Sequence, residues 1–143
     1  MLGLGVSQGL KLERLRIKGK EHVLFKGSDG KISVVDSVCP HRGANLCNGR
    51  VKGNNIQCPY HGWEFDSVGK LVNVPSMNNI PCKADILSYP VMEDGGFIWS
   101  SKNEDNLPTK YCPELYDPNW VKVYGSKEVQ GTVLDWILNA TDI

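Results

Sequence analysis

Cys39-Pro40-His41-Arg42-Gly43-Ala44 and Cys58-Pro59-Tyr60-His61-Gly62-Trp63-Glu64-Phe65-Asp66 decide how this chain is read. The first segment offers Cys-x-His, the second Cys-x-x-His, and sixteen residues separate His41 from Cys58. Each segment supplies one thiolate and one imidazole, so together they offer four ligands of the kind that bind soft or borderline transition metals. The whole chain has only three histidines and five cysteines, and two of each fall in these two segments. His22 stands in an expected strand without a cysteine beside it and reads as structural. Cys47, Cys82 and Cys112 lack ligand partners nearby and read as small buried side chains. An odd cysteine count at irregular spacing, in a chain of 143 residues, argues against a disulfide framework.

Outward from the two segments, residues 10 to 99 read as short strands cut by turn residues. Leu12, Leu15 and Ile17 lead to a Lys18-Gly19-Lys20 turn. His22 to Phe25 and Lys31 to Val35 flank Gly27-Ser28-Asp29-Gly30, a hairpin signature. Ile56-Gln57 follows Gly53-Asn54-Asn55, Trp63 and Phe65 lead through Asp66-Ser67-Val68-Gly69-Lys70 to Leu71–Val74, and Phe97-Ile98-Trp99 follows Gly95-Gly96. Strands so short and so regularly punctuated predict an all-β antiparallel sandwich or barrel. Both ligand pairs come just after expected strands, Val34-Val35 and Ile56-Gln57, so a rigid sheet can hold two loop tips face to face. Gly43 and Gly62 follow the histidines, where backbone amides can come close to a sulfide.

Charge explains why two cysteines and two histidines suit a [2Fe–2S] cluster. Two ferric ions, two sulfides and two thiolates sum to zero, and neutral imidazoles add nothing. Four thiolates would leave the oxidised centre with two negative charges. An electron enters the less negative centre more easily, so histidine on one iron raises the potential from about −400 mV to roughly −150 mV or above. The histidine iron is then the one that holds the electron. Zinc is the competing occupant: its structural sites space paired ligands by two to four residues, which Cys58-x-x-His61 satisfies and Cys39-x-His41 does not.

The motif, with its flanking Pro, Gly and Trp residues, resembles the Rieske signature as found in Rieske non-haem iron oxygenases and their ferredoxins, over residues 17 to 100 or so. The resemblance implies a Rieske-type antiparallel β-sandwich with a small cluster-binding subdomain, its loops spanning about 37–75. It implies that Cys39 and Cys58 hold the inner iron while His41 and His61 hold the outer one near solvent. Exposed ring nitrogens on these histidines would make the potential depend on pH in the alkaline range, and a flat potential there would contradict this. The respiratory-complex branch adds one cysteine to each loop and joins them as a disulfide; Ala44 and Tyr60 occupy those places here, which favours the oxygenase branch. Around the ligands, Trp63 reads as a shield over the cluster or as an ordinary half-buried strand residue. Pro75 falls where the family has a proline loop over the cluster, and a plain strand terminator would look the same. Arg42 either presents charge to a partner or is a solvated loop residue. Gly43, Tyr60 and Gly62 complete the expected surroundings.

Sixteen basic and sixteen acidic residues exclude the electrostatic footprint of a nucleic-acid binder or an anionic-membrane anchor. Met1–Val6 lacks the basic lead and apolar run of a signal peptide, and no stretch nears the ~20 apolar residues of a spanning helix, so the expected location is cytoplasmic. Lys102 to Asn119, with Pro108, Pro113 and Pro118, changes to the composition of a connector. A boundary near 105 then divides a Rieske domain, 1–105, from a connector and following segment, 106–143. Val121 to Tyr124 reads as a further strand. From Thr132 the pattern turns helical, with Val133, Leu134, Ile137 and Leu138 on one face and a Thr132/Asp135 capping box. Leu134 to Ile143 resembles the opening of an oxygenase catalytic domain, where Asn139 and Asp142 would precede the first iron-binding histidine and Asp142 would bridge cluster and iron; Leu138 stands where the family has Glu. No residue after Asp142 supplies the two histidines and carboxylate of a non-haem iron site, so the expected role is one-electron transfer as the N-terminal domain of a truncated oxygenase, without catalysis by this chain. The alternative is a stand-alone Rieske ferredoxin. Either needs a redox partner, a reductase or an oxygenase catalytic domain, and family resemblance is compatible with a homo-oligomer. A stop codon after Ile143 would favour the carrier; His-x(4–5)-His within a few residues would favour the oxygenase.

Overall fold

A computed structural model of the chain describes residues 2–6, 9–17, 19–80, 84–94, 96–103 and 116–121. Its strands, in chain order, are β1 Leu2–Val6, β2 Leu12–Ile17, β3 Lys20–Lys26, β4 Ile32–Asp36, β5 Arg50–Lys52, β6 Asn55–Gln57, β7 Glu64–Phe65, β8 Leu71–Asn73, β9 Ser88–Tyr89, β10 Val91–Asp94 and β11 Phe97–Ser100. One short 3-10 turn, Leu46–Asn48, interrupts them. All pairings are antiparallel.

The β3–β4 hairpin forms where its turn chemistry directs. Gly27 N donates to Lys31 O at 2.9 Å, and the Asp29 carboxylate accepts from Lys31 N at 3.0 Å, closing the loop from within. The pairing that follows sets Val23 opposite Val35 and Leu24 opposite Val34. With β2 outside β3 and β9 outside β4, this makes a four-stranded sheet in the order β2-β3-β4-β9.

Successive side chains on a strand point to opposite faces, and here both faces are covered. Val23, Phe25 and Val35 pack into one core with Leu46, Ile56, Phe65, Leu71 and both Cys39 and Cys58. Leu24, Ile32 and Val34 pack into another with Leu10 and Ile98. That is why β3 and β4 read as nearly continuous apolar runs. The sheet β1-β11-β10 contributes Ile98 to the second core, while the small sheet β5-β6-β7-β8 contributes to the first and carries the Cys58–His61 loop between β6 and β7; the Cys39–His41 loop follows β4.

The expected hairpin and the strands at 12–17, 55–57, 71–73 and 97–100 are present. Strands β1, β5, β9 and β10 went unanticipated, because their pairing partners are set by distant or very short segments. The domain boundary near 105, the helix from Thr132, Asn139 and Asp142, and Cys82 and Cys112 lie outside the described residues; of the strand expected at Val121–Tyr124 only Val121 is described, and it is not in a strand.

Candidate metal centre

The two ligand loops are built on one backbone plan. In the first, Cys39 N donates to Ala44 O and Gly43 N donates back to Cys39 O, both at 2.9 Å. In the second, Cys58 N donates to Trp63 O at 2.8 Å and Gly62 N donates back to Cys58 O at 3.1 Å. Such a tight reversal needs a left-handed residue at its end, and Gly43 (φ 69°) and Gly62 (φ 73°) supply it. The glycine amides are thus committed to the cysteine carbonyls. The backbone N–H groups of His41 and Arg42 favour the thiolate form of Cys39.

Each loop is also tied to the sheet behind it. Asn45 caps the 3-10 turn by accepting from Cys47 N at 2.8 Å, and its amide donates to Glu21 Oε2 on β3 at 2.6 Å. Ser37 Oγ donates to Glu21 O at 2.9 Å, and Leu46 N donates to Ser37 O at 2.7 Å. The second loop is closed at its base by Gln57 and Glu64, which face each other across β6 and β7 and are joined by a 2.9 Å hydrogen bond.

This frame brings the four expected ligands together as two unlike pairs. Cys39 and Cys58 are buried in one core, at 1% and 3% exposure, near enough for Cys58 to influence the ionisation of Cys39. The rings of His41 and His61 lie 4.5 Å apart at 61°, His41 half-buried and His61 exposed. Among the described residues, no three His, Cys, Asp or Glu side chains are grouped as ligands of one ion. By burial, the four side chains divide into an inner sulfur pair and an outer nitrogen pair.

Burial pushes the Cys39 thiol up to about 11, with the neighbouring Cys58 adding to the effect, while the His41 and Arg42 N–H groups oppose it. Ferric ions would reverse that balance by holding both sulfurs as thiolates. His41 has its pKa lowered, first by desolvation and then by the charges of His61 and Arg42, so it is the neutral ring a metal ligand must be.

The surroundings divide among the expectations. Trp63 lies flat on His41, ring centroids 4.6 Å apart and planes within 1°, so it covers one face of that imidazole. Tyr60 is exposed and lies against His61 with centroids 3.8 Å apart. Pro75, just past β8, closes on the second loop: a Cβ on Gly62 would stand 3.1 Å from its ring. Arg42 is exposed at the loop tip. His22 is buried, its Nδ1 bonded to Lys20 O at 3.0 Å and its ring edge-on to Tyr89, in keeping with a structural role. Cys47 is half-buried, with Sγ 3.5 Å from His22 O. Glu21, Asn45, Gln57 and Glu64 escaped the sequence reading. Only Asn45, a turn former ahead of Leu46, carried a local signal.

A small antiparallel β-domain that presents two Cys/His loops side by side is the class that the fold and the site define. The family model for the Rieske [2Fe-2S] domain matches residues 6–90, and the chain belongs to that family. Its cofactor is accordingly a Rieske-type [2Fe–2S] cluster. The chain is 39% identical over 121 residues to a probable 3-ketosteroid-9-alpha-monooxygenase, oxygenase component, of Rhodococcus rhodochrous, covering 80% of this chain and 30% of that protein. It is 35% identical to a cholesterol 7-desaturase of Hemicentrotus pulcherrimus, over 80% of this chain and 26% of that one. The crystal structure of dicamba monooxygenase bound to dicamba superposes with a TM-score of 0.72 at 29% identity, covering 81% of this chain and 37% of that one. The chain thus spans about a third or less of the length of these relatives. Among the described residues, no helix is long and apolar enough to cross a membrane.

Proposed function

We propose that Cys39 and Cys58 hold the inner iron of the cluster and His41 and His61 the outer one, and that the chain passes single electrons from a reductase toward the mononuclear iron of a Rieske oxygenase. The observation that carries this is the division of the site: two buried thiols in one core and two adjacent imidazoles, one half-buried and one exposed. When bound, the cluster supplies a one-electron acceptor at a potential raised by its histidine ligands. The protein supplies the rest. Cys39 and Cys58 lie in the core, the His41 and Arg42 amides favour the thiolate of Cys39, and exposed His61 offers a partner the shortest approach. The similarity to oxygenase components supports placing residues 1–105 as the electron-transfer domain and 106–143 as a connector leading toward catalytic sequence. A redox partner and assembly with further copies belong to the same reading, as does a cytoplasmic location.

Purified anaerobically, the protein should be red-brown, contain two irons and two sulfides per chain, and give a rhombic EPR signal after one-electron reduction. Cys39→Ser or Cys58→Ser should abolish the colour. His61→Cys should retain a cluster but move its potential toward the roughly −400 mV of all-cysteine centres. A colourless protein with stoichiometric zinc would overturn the assignment.

A further inference from the structure

Glu64 is a buried carboxylate, with 7% of its side chain exposed, in the sheet that carries the second ligand loop. One of its oxygens, Oε1, accepts three hydrogen bonds: from Lys52 Nζ at 2.7 Å, Gln57 Nε2 at 2.9 Å and Asn73 Nδ2 at 3.1 Å. The donors stand on β5, β6 and β8, and Glu64 is on β7, so a single atom ties all four strands together. Gln57, in turn, accepts from Arg50 Nε at 2.7 Å, and its amide lies near the left-handed turn of the loop, 3.9 Å from where a Gly62 Cβ would be. Gln57 precedes Cys58 and Glu64 follows Trp63, so the hub closes both ends of the loop.

Such a hub does more than join strands. A negative charge buried at the base of the loop that carries Cys58 and His61 opposes the arrival of an electron there, because a protein interior screens it less than water does. Lys52 offsets part of that field, but its side chain is 58% exposed and water weakens its contribution. With the cluster held as proposed above, we infer that Glu64 is a positioning residue that sets both the seat of the Cys58–His61 loop and the reduction potential, keeping the potential below the value the four ligands alone would give. A purely structural hub would affect stability and cluster retention without moving the potential in a direction set by charge.

The test is spectroelectrochemical titration of the full chain with its cluster, alongside Glu64→Gln, Lys52→Met and Asn73→Leu. Glu64→Gln keeps the shape and removes the charge, so the midpoint should shift to a more positive potential. Lys52→Met should shift it the opposite way and by less, as the exposed partner is screened. Asn73→Leu removes an uncharged donor and should lower the melting temperature with little change of midpoint. Charge variants that retain the cluster and leave the midpoint unmoved, or that move it the same way, overturn the inference. Should Glu64→Gln lose its cluster, the sign of the Lys52→Met shift decides. A wild-type chain that binds no cluster would instead overturn the assignment beneath it.

Discussion

Gly43 and Gly62 share a backbone conformation but not an environment, and that difference separates two substitutions that look alike in sequence. A Cβ at Gly43 meets nothing within 4 Å, so Gly43→Ala carries only the cost of a left-handed alanine, about 1–2 kcal/mol. At Gly62 the same atom would press on Pro75, 3.1 Å away, and push the proline off the loop. Thermal unfolding should show Gly62→Ala as the more damaging of the two, with faster loss of visible absorbance in air. Trp63 makes a similar point. Trp63→Leu keeps apolar bulk but removes the stack on His41, a contact worth about 0.5–1.5 kcal/mol, and bleaching of the cluster should accelerate several-fold. The four proposed ligands stand out at this scale because Cys-x-His and Cys-x-x-His are contiguous motifs. The choice for Trp63 between shield and strand residue does not, since it turns on which loop its ring faces.

Between Gln57 and Glu64 the hairpin β6–β7 holds a loop rather than a simple turn, and the strength of its base depends on ionisation. Burial alone would raise the Glu64 pKa, but the Lys52, Asn73 and Gln57 donors outweigh it and hold the carboxyl below the ordinary 4.5. Its folded value being depressed, the carboxylate adds stability that is complete above the ordinary carboxylate range and is lost as pH falls through the lowered value. The melting-temperature gap between wild type and Glu64→Gln, expected to reflect about 1–2 kcal/mol at neutral pH, should therefore close on acidification below pH 4.5. The hairpin of β3 and β4 could be read from Gly27-Ser28-Asp29-Gly30 because turn chemistry is local. The pairing of Leu2 with Ser100, or of Lys52 with Glu64, could not: each exists only once the register is set, and no adjacent residue announces it.

Across the whole molecule, the β2-β3-β4-β9 sheet separates two cores, so neighbouring residues on β3 should fail in different ways. Leu24→Ala opens a cavity on the side of Leu10 and Ile98, costing about 2–5 kcal/mol. Phe25→Ala, at about 3–5 kcal/mol, opens one beneath the cysteines. Equilibrium unfolding should register both, but only Phe25→Ala should alter the EPR line shape of the reduced cluster. Sandwich architecture was readable from strand length and spacing. The double burial of one sheet was hidden, because an apolar run says that both faces are covered without saying by what.

Cys39 and Cys58 are packing residues of the first core as well as the proposed ligands of the inner iron. Occupancy by iron and conformational integrity are therefore one equilibrium, since whatever binds only the native state deepens it. Under iron limitation the chain would turn from a redox component into a substrate for quality-control proteases, and the amount of it a cell retains would report iron supply with no dedicated sensor.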